Sequence, residues 1–310
     1  MINARTRKGN YMKKVSKTVG TIMAAGALLL SGTVGWMPGP EVASAAATAA
    51  KPPTVDQVIG KVTAAAKTLK NFHLDVIKKQ EIQTGGVKVS NTNTLKLDIN
   101  RLPNFAAAGS VDISLLETSY DLYANDKEFY YLVDGSELIA DSEDTAADTG
   151  EDGEVSSSDA VTDGDGEPID PDAQYWLGLE KQEWESFYSK AQYDPASMLN
   201  SVKNVKKSMK VTTVGTQTVL QVTVTDPAAA KGLIALYDQE NLWDGETLEP
   251  KSATWKLFLN TKTWQTEKLT VDLSYALASD GTKDTYTTKI EAKYSKNNKV
   301  TTITKPAELE

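Results

Sequence analysis

The chain has no cysteine and a single histidine among its 310 residues. The first absence excludes a disulfide framework, thiolate metal sites, a cysteine nucleophile and an N-terminal lipid-modified cysteine. With one histidine, a histidine zinc motif cannot be built, and a Ser-His-Asp arrangement would have to rest on His73 alone. No Gly-x-Ser-x-Gly elbow, phosphate loop or dinucleotide glycine pattern stands in the sequence. Basic residues form no stripe that could neutralise phosphates, which argues against nucleic-acid binding.

Charge is unevenly placed. The net charge is −9. Residues 1–45 are net basic, while residues 141–172 hold thirteen Asp and Glu and no Lys or Arg, so the remainder is close to neutral. Six basic residues lie between Arg5 and Lys17, followed by an uncharged stretch from Val19 to Met37 and the small-residue run Val42-Ala43-Ser44-Ala45-Ala46. That order reads as a secretory signal peptide over residues 1–45, cleaved between Ala45 and Ala46. The apolar part falls short of a membrane span and is interrupted by Gly26, Gly32, Gly35 and Pro38. Met12-Lys13-Lys14 makes a more ordinary start for such a leader than Met1.

Residues 46–53 read as a linker. Thr54 and Gln57 have the spacing of a capping box, and Val55, Val58, Ile59, Val62, Ala66 and Leu69 follow at helical spacing, which predicts an amphipathic helix over 55–70. The period then changes to two. Phe72, Leu74 and Val76 alternate with polar residues, Gly85-Gly86 supplies a tight turn, and Leu95, Leu97 and Ile99 repeat the alternation. Further strands are expected at 111–115, 120–123 and 128–133. The segment 141–172 is too poor in large apolar residues to offset its ordering entropy and reads as a disordered acidic loop.

Beyond it, residues 175–177 read as ordered. Helices are expected over 180–188, over 196–207 after Asp194-Pro195, and from Asp226-Pro227 to about Leu242, since Asp then Pro places a cap before the first turn. A hairpin is expected around Gly215. Strands are expected over 254–260, 264–277 and 284–295. The fold class implied is α+β, a curved antiparallel β-sheet or incomplete β-barrel with helices covering its concave face, forming one domain over 54–306.

Candidate chemistry is thin. His73 takes an outward position in its strand. Glu180, Glu183 and Glu185, beside Trp176 and Trp184, are the one aromatic–carboxylate cluster that could resemble a sugar cleft. Counting from Asp159, a calcium loop would use Asp159, Asp163, Gly164 and Asp170, but Val161 stands where a ligand is needed and no helix flanks it. No catalytic residue, metal site or cofactor is therefore assigned. The remaining signal is the apolar inner face, where Leu97, Ile99, Val111, Ile113, Val271 and Leu273 are candidate lining residues for an elongated apolar ligand such as an acyl chain. The plainer reading, which the pattern favours, is that they are ordinary core beneath the helices.

The Val55–Leu69 helix, Phe72-His73-Leu74, Glu128-Phe129-Tyr130-Tyr131, Tyr175-Trp176, Asp194-Pro195 and Ile303-Thr304-Lys305-Pro306 together resemble exported lipid carriers of the LolA/LppX type, more closely their Gram-positive relatives. That resemblance implies an incomplete barrel, an apolar cavity and no catalysis. Many such relatives carry a lipid-anchoring cysteine, which this chain lacks. The expectation is thus a secreted or envelope-associated protein, not lipid-anchored, that binds a lipid or other hydrophobic ligand and could associate with the cell wall or a membrane surface. The alternatives are an envelope interaction module without a small ligand and a carbohydrate-active enzyme.

Overall fold

The computed structural model describes residues 53–139, 168–238, 247–279 and 282–309. The leader, its cleavage point at Ala45 and Ala46, all of the linker except Pro53, and most of the acidic segment lie outside the described residues.

Helix α1 (Val55–Thr68) begins where the capping box places it. The Thr54 N–H donates to Gln57 Oε1 at 2.9 Å, and the Gln57 N–H donates to Thr54 Oγ1 at 3.3 Å. Val58, Val62 and Ala66 are its buried stripe. Strands β1 (Asn71–Thr84), β2 (Val87–Asn100), β3 (Ala106–Ile113), β4 (Thr118–Asn125), β5 (Phe129–Asp134) and β6 (Gln174–Gly178) form a meander. Gly85 and Gly86 both take positive φ, at 53° and 84°, as the first hairpin turn requires.

Three short helices follow: α2 (Lys181–Phe187), α3 (Lys190–Tyr193) and α4 (Met198–Ser201), then a 3-10 turn at Lys203–Ser208. Strands β7 (Lys210–Val214) and β8 (Gln217–Val224), helix α5 (Pro227–Tyr237), and strands β9 (Thr247–Asn260), β10 (Thr266–Ser279) and β11 (Thr282–Ser295) follow, then a short C-terminal tail; residues 135–139, after β5, are helical as well. The eleven strands make one open sheet in the order β6-β5-β4-β3-β2-β1-β11-β10-β9-β8-β7. The first and last strands meet at its centre, so two meanders grow outward in opposite directions. It is a curved antiparallel sheet with helices over one face, not closed into a barrel.

Three expectations change. The single helix expected over 196–207 starts late and is divided: Asp194 Oδ1 accepts from the Ala196 and Ser197 N–H groups and ties the chain into a local turn before α4, and at Val202 (φ −103°, ψ 10°) the chain leaves α geometry for the 3-10 turn. Met198, Leu199, Val202 and Val205 are buried all the same. Helix α5 stops at Tyr237, five residues before the expected end, because Asp238 turns its side chain into the sheet. Ile169, counted with the acidic loop, is buried with Val133 and Leu138 in a small second core, while Pro168, Asp170, Pro171 and Asp172 around it are exposed. The apolar residue near the end of that segment gives it something to bury.

Gly109 in β3 lies opposite Leu97, and a Cβ there would stand 1.8 Å from the Lys96 carbonyl oxygen. Gly109→Ala is expected to push β2 and β3 apart and cost about 1–3 kcal/mol, as overpacking does. A urea midpoint unchanged from the parent would show that the two strands give way freely.

Candidate ligand-binding site

Register decides what the six candidate lining residues can do together. Leu97 is level with Leu74 on β1, which is level with Tyr294 on β11. Leu273 is level with Thr288 on β11, which is level with Gln80 on β1. The two strands between them, and this offset along the strands, keep the β2 and β10 candidates from converging on one point. Leu97, Ile99, Val111, Val271 and Leu273 are each no more than 3% exposed, and Ile113 is half-buried against the same core.

The inner face expected to be hollow is filled. Val58 and Val62 from α1, Met198 and Leu199 from α4, and Leu233 and Ile234 from α5 pack onto it. Aromatic side chains take up the rest. Tyr188 stacks with Phe105 at 6.0 Å and with Tyr193 at 6.3 Å, and Trp184 stacks on Phe129 at 5.7 Å. Trp255 Nε1 donates to the Tyr237 hydroxyl at 3.0 Å, and the Tyr294 hydroxyl donates to the Tyr193 carbonyl at 2.8 Å. Burial pushes the Tyr188, Tyr193, Tyr237 and Tyr294 hydroxyls well above the ordinary tyrosine range, so they stay neutral.

Within this apolar layer sits a polar cluster that the sequence reading did not find. Asp238, at the C-terminus of α5, is fully buried. Lys78 Nζ lies 2.6 Å from its Oδ1. Its Oδ2 accepts from the Tyr275 hydroxyl at 2.7 Å and the Thr288 hydroxyl at 2.5 Å, and Gln80 Nε2 donates to Oδ1 at 3.2 Å. Lys78 also donates to the Tyr237 carbonyl at 3.2 Å, so one ammonium serves a carboxylate and a helix C-terminus, where positive charge is favoured. The only sequence signal was that Lys78 and Gln80 continue the inward phase of Phe72, Leu74 and Val76.

A second clamp holds α1. The Arg101 guanidinium pairs with Asp194 through Nε and donates from Nη1 to the carbonyls of Ala66 at 2.7 Å and Leu69 at 2.6 Å. Asn298 Oδ1 accepts from the Lys70 N–H at 2.6 Å just beyond. Beside this end of the helix runs a crevice of about 10 Å³. Val62, Ala65, Ala66 and Leu69 form one wall, and Pro195, Trp264, Gln265 and Thr266 the other.

The clustered carboxylates and the histidine have structural partners. Glu183 Oε2 accepts from the Glu180 N–H at 2.8 Å and Glu180 caps in return, so two of the three clustered carboxylates form a capping box; Glu185 pairs with Lys181. His73 lies on the outer face with Nδ1 2.6 Å from Asp98 Oδ1 and Nε2 3.4 Å from Asp75 Oδ2. Asp159, Asp163 and Gly164 lie outside the described residues. Among the described residues no group of three or more His, Cys, Asp or Glu side chains could hold a metal ion. No helix among them is long and apolar enough to cross a membrane.

The molecule is thus an open antiparallel sheet with its inner face sealed by helices and two polar clamps. Residues 167–310 match a family of unknown function, DUF6612. Comparison with curated proteins gives no match. Among solved structures the chain is similar to LprF from Mycobacterium bovis, at 11% identity over 83% of this chain and 99% of that one, with a TM-score of 0.36. It is also similar to the LolA superfamily protein NE2245 from Nitrosomonas europaea, at 8% identity over 78% and 93% of the chains, TM-score 0.22. A putative outer membrane lipoprotein-sorting protein domain from Vibrio parahaemolyticus aligns at 5% identity over 78% and 93%, TM-score 0.25.

Proposed function

We propose that this is an exported, non-catalytic protein that takes up a lipid or similar apolar ligand on the helix-covered face of its sheet, with α1 as the displaceable cover. One observation carries the reading: the sheet's inner face is closed by separate helices pinned through side chains, not by a second sheet. α1 is joined to β1 by two residues and held there chiefly by Arg101 and Asn298. The candidate residues Leu97, Ile99, Val111, Ile113, Val271 and Leu273 then belong to the floor that a displaced cover would uncover in part.

The exchange is close to balanced, because an acyl chain offsets the apolar contacts of the cover while the Arg101 hydrogen bonds to α1 add to the cost of lifting it. Lifting Val58, Val62 and Leu69 off the sheet costs roughly 6 kcal/mol of apolar burial, at about 2 kcal/mol each. An acyl chain that buries about ten methylenes returns about 8 kcal/mol at 0.8 kcal/mol each. Native mass spectrometry of protein purified from its host is expected to show a co-purified lipid mass, and the apo protein is expected to take up a fluorescent fatty acid. A clean apo mass together with no uptake would remove this reading.

The filled interior favours a second reading, an envelope interaction module with no small ligand. It predicts retention on purified wall material without any bound lipid. Secretion or loose envelope association fits both readings.

A further inference from the structure

The crevice beside α1 carries three features that simple packing does not need. Trp264, at the end of the β9–β10 turn, has φ +59°, a left-handed conformation that a bulky side chain adopts at a cost. The turn holds it there: Asn260 Oδ1 accepts from the Lys262 and Thr263 N–H groups, and the Trp264 N–H donates to the Asn260 carbonyl at 2.8 Å. Immediately after it the β9–β10 register shifts between Thr266 and Lys268. Counting back by two from Leu269 would turn Thr266 to the outer face. The bulge instead sets it opposite the inward-facing Leu259, and Thr266 is 4% exposed.

Its hydroxyl gains nothing from being there. Thr266 Oγ1 is buried and has no hydrogen-bond partner among the described residues, an arrangement that costs free energy unless something arrives to use it. Lys61, exposed on α1, holds its ammonium 4.3 Å from the centre of the Trp264 ring and has no carboxylate partner among the described residues. A positive charge and an unused hydroxyl therefore flank a crevice otherwise walled by Val62, Ala65, Leu69, Pro195 and the amide side chain of Gln265.

We propose that this crevice is the mouth of the ligand site and that the ligand is a single-chain amphiphile with an anionic carboxylate head. The proposal rests on the uptake reading above and adds where the ligand enters and what its head must be. The chain slides beneath α1, taking the place of the Val62 and Leu69 contacts. As the chain enters and the crevice opens, the Thr266 hydroxyl is uncovered and donates to the carboxylate, which pairs with the Lys61 ammonium on the same side. Trp264 supports the lysine by presenting its ring to the ammonium.

The test uses the full exported chain and two fluorescent probes of equal chain length, a fatty acid and the corresponding fatty alcohol. The acid is expected to bind about tenfold more tightly than the alcohol, the size of one charge-assisted contact. Lys61→Gln should erase that preference while leaving alcohol binding as it was. Thr266→Val, which swaps the idle hydroxyl for a methyl of the same shape, should weaken acid binding about tenfold yet leave the melting temperature unchanged or higher. If the parent binds both probes but neither variant alters the acid, the mouth lies elsewhere and only this inference falls. If Thr266→Val melts well below the parent, the hydroxyl is structural and the inference falls as well. No uptake of either probe by the parent overturns the inference and the uptake reading together.

Discussion

Asp238→Ala is expected to lower the unfolding free energy by about 3–5 kcal/mol, because it strips a buried ion pair of one partner. Four donors converge on that carboxylate: Lys78, Gln80, Tyr275 and Thr288. They come from the three adjacent strands β1, β11 and β10, and Asp238 brings the end of α5 down onto all three. Alanine would leave an ammonium, two hydroxyls and an amide in a layer where water does not replace the lost acceptor. Asp238→Asn keeps an oxygen for the hydroxyls but not the charge facing Lys78, and should fall between. Adding Lys78→Met to Asp238→Asn should recover part of the loss, since a buried pair replaced on both sides is often near neutral. Urea midpoints of the four proteins measure this. An Asp238→Ala variant as stable as the parent would mean the cluster contributes nothing net, and α5 would then be held mainly by its apolar face of Ala230, Leu233, Ile234 and Tyr237.

That cluster also shows where sequence reasoning stops. The capping box of Thr54 and Gln57, the alternation through Phe72, Leu74 and Val76, and the glycine pair at the first turn are local patterns, and each element formed within a residue or two of its expected bounds. The open sheet with helices on one face follows from their order. Asp238 contacts Gln80 across 158 residues, and Gln80 contacts Thr288 across 208. No spacing rule links such partners. What was visible was the phase: two polar residues continuing an inward-facing strand must meet something polar. Thr266 was hidden for the opposite reason, because a bulge breaks the phase and a residue counted as outward turns inward. The expected hollow failed on volume. Alternation tells which residues face inward but not that Trp255, Tyr237, Tyr193 and Tyr294 are large enough to fill the space.

Arg101→Met should separate the cover from the rest of the fold. The substitution keeps an apolar stem but removes the pair with Asp194 and the two hydrogen bonds to the Ala66 and Leu69 carbonyls. Asp194, 4% exposed, then loses its cation while still accepting from two backbone N–H groups, so the overall cost is expected to reach about 3 kcal/mol, the lower end for a broken buried pair. The loss should not be evenly spread. Arg101 touches α1 at its last turn, where the unpaired carbonyls of a helix most need a donor and where the helix passes into β1. Amides of residues 58–68 should exchange with solvent at least about tenfold faster than in the parent, the mark of 1.4 kcal/mol less local protection, and through a local opening that leaves them less protected than the amides of β10 and β11. Asp238→Ala gives the contrasting pattern, with losses centred on α5 and the middle strands. If α1 is a cover, Arg101→Met also speeds uptake of an apolar probe, because less energy separates the closed from the open form. Exchange that rises uniformly across α1 and the sheet, with uptake no faster, would make Arg101 one more part of a rigid core and leave α1 no more displaceable than the strands beneath it.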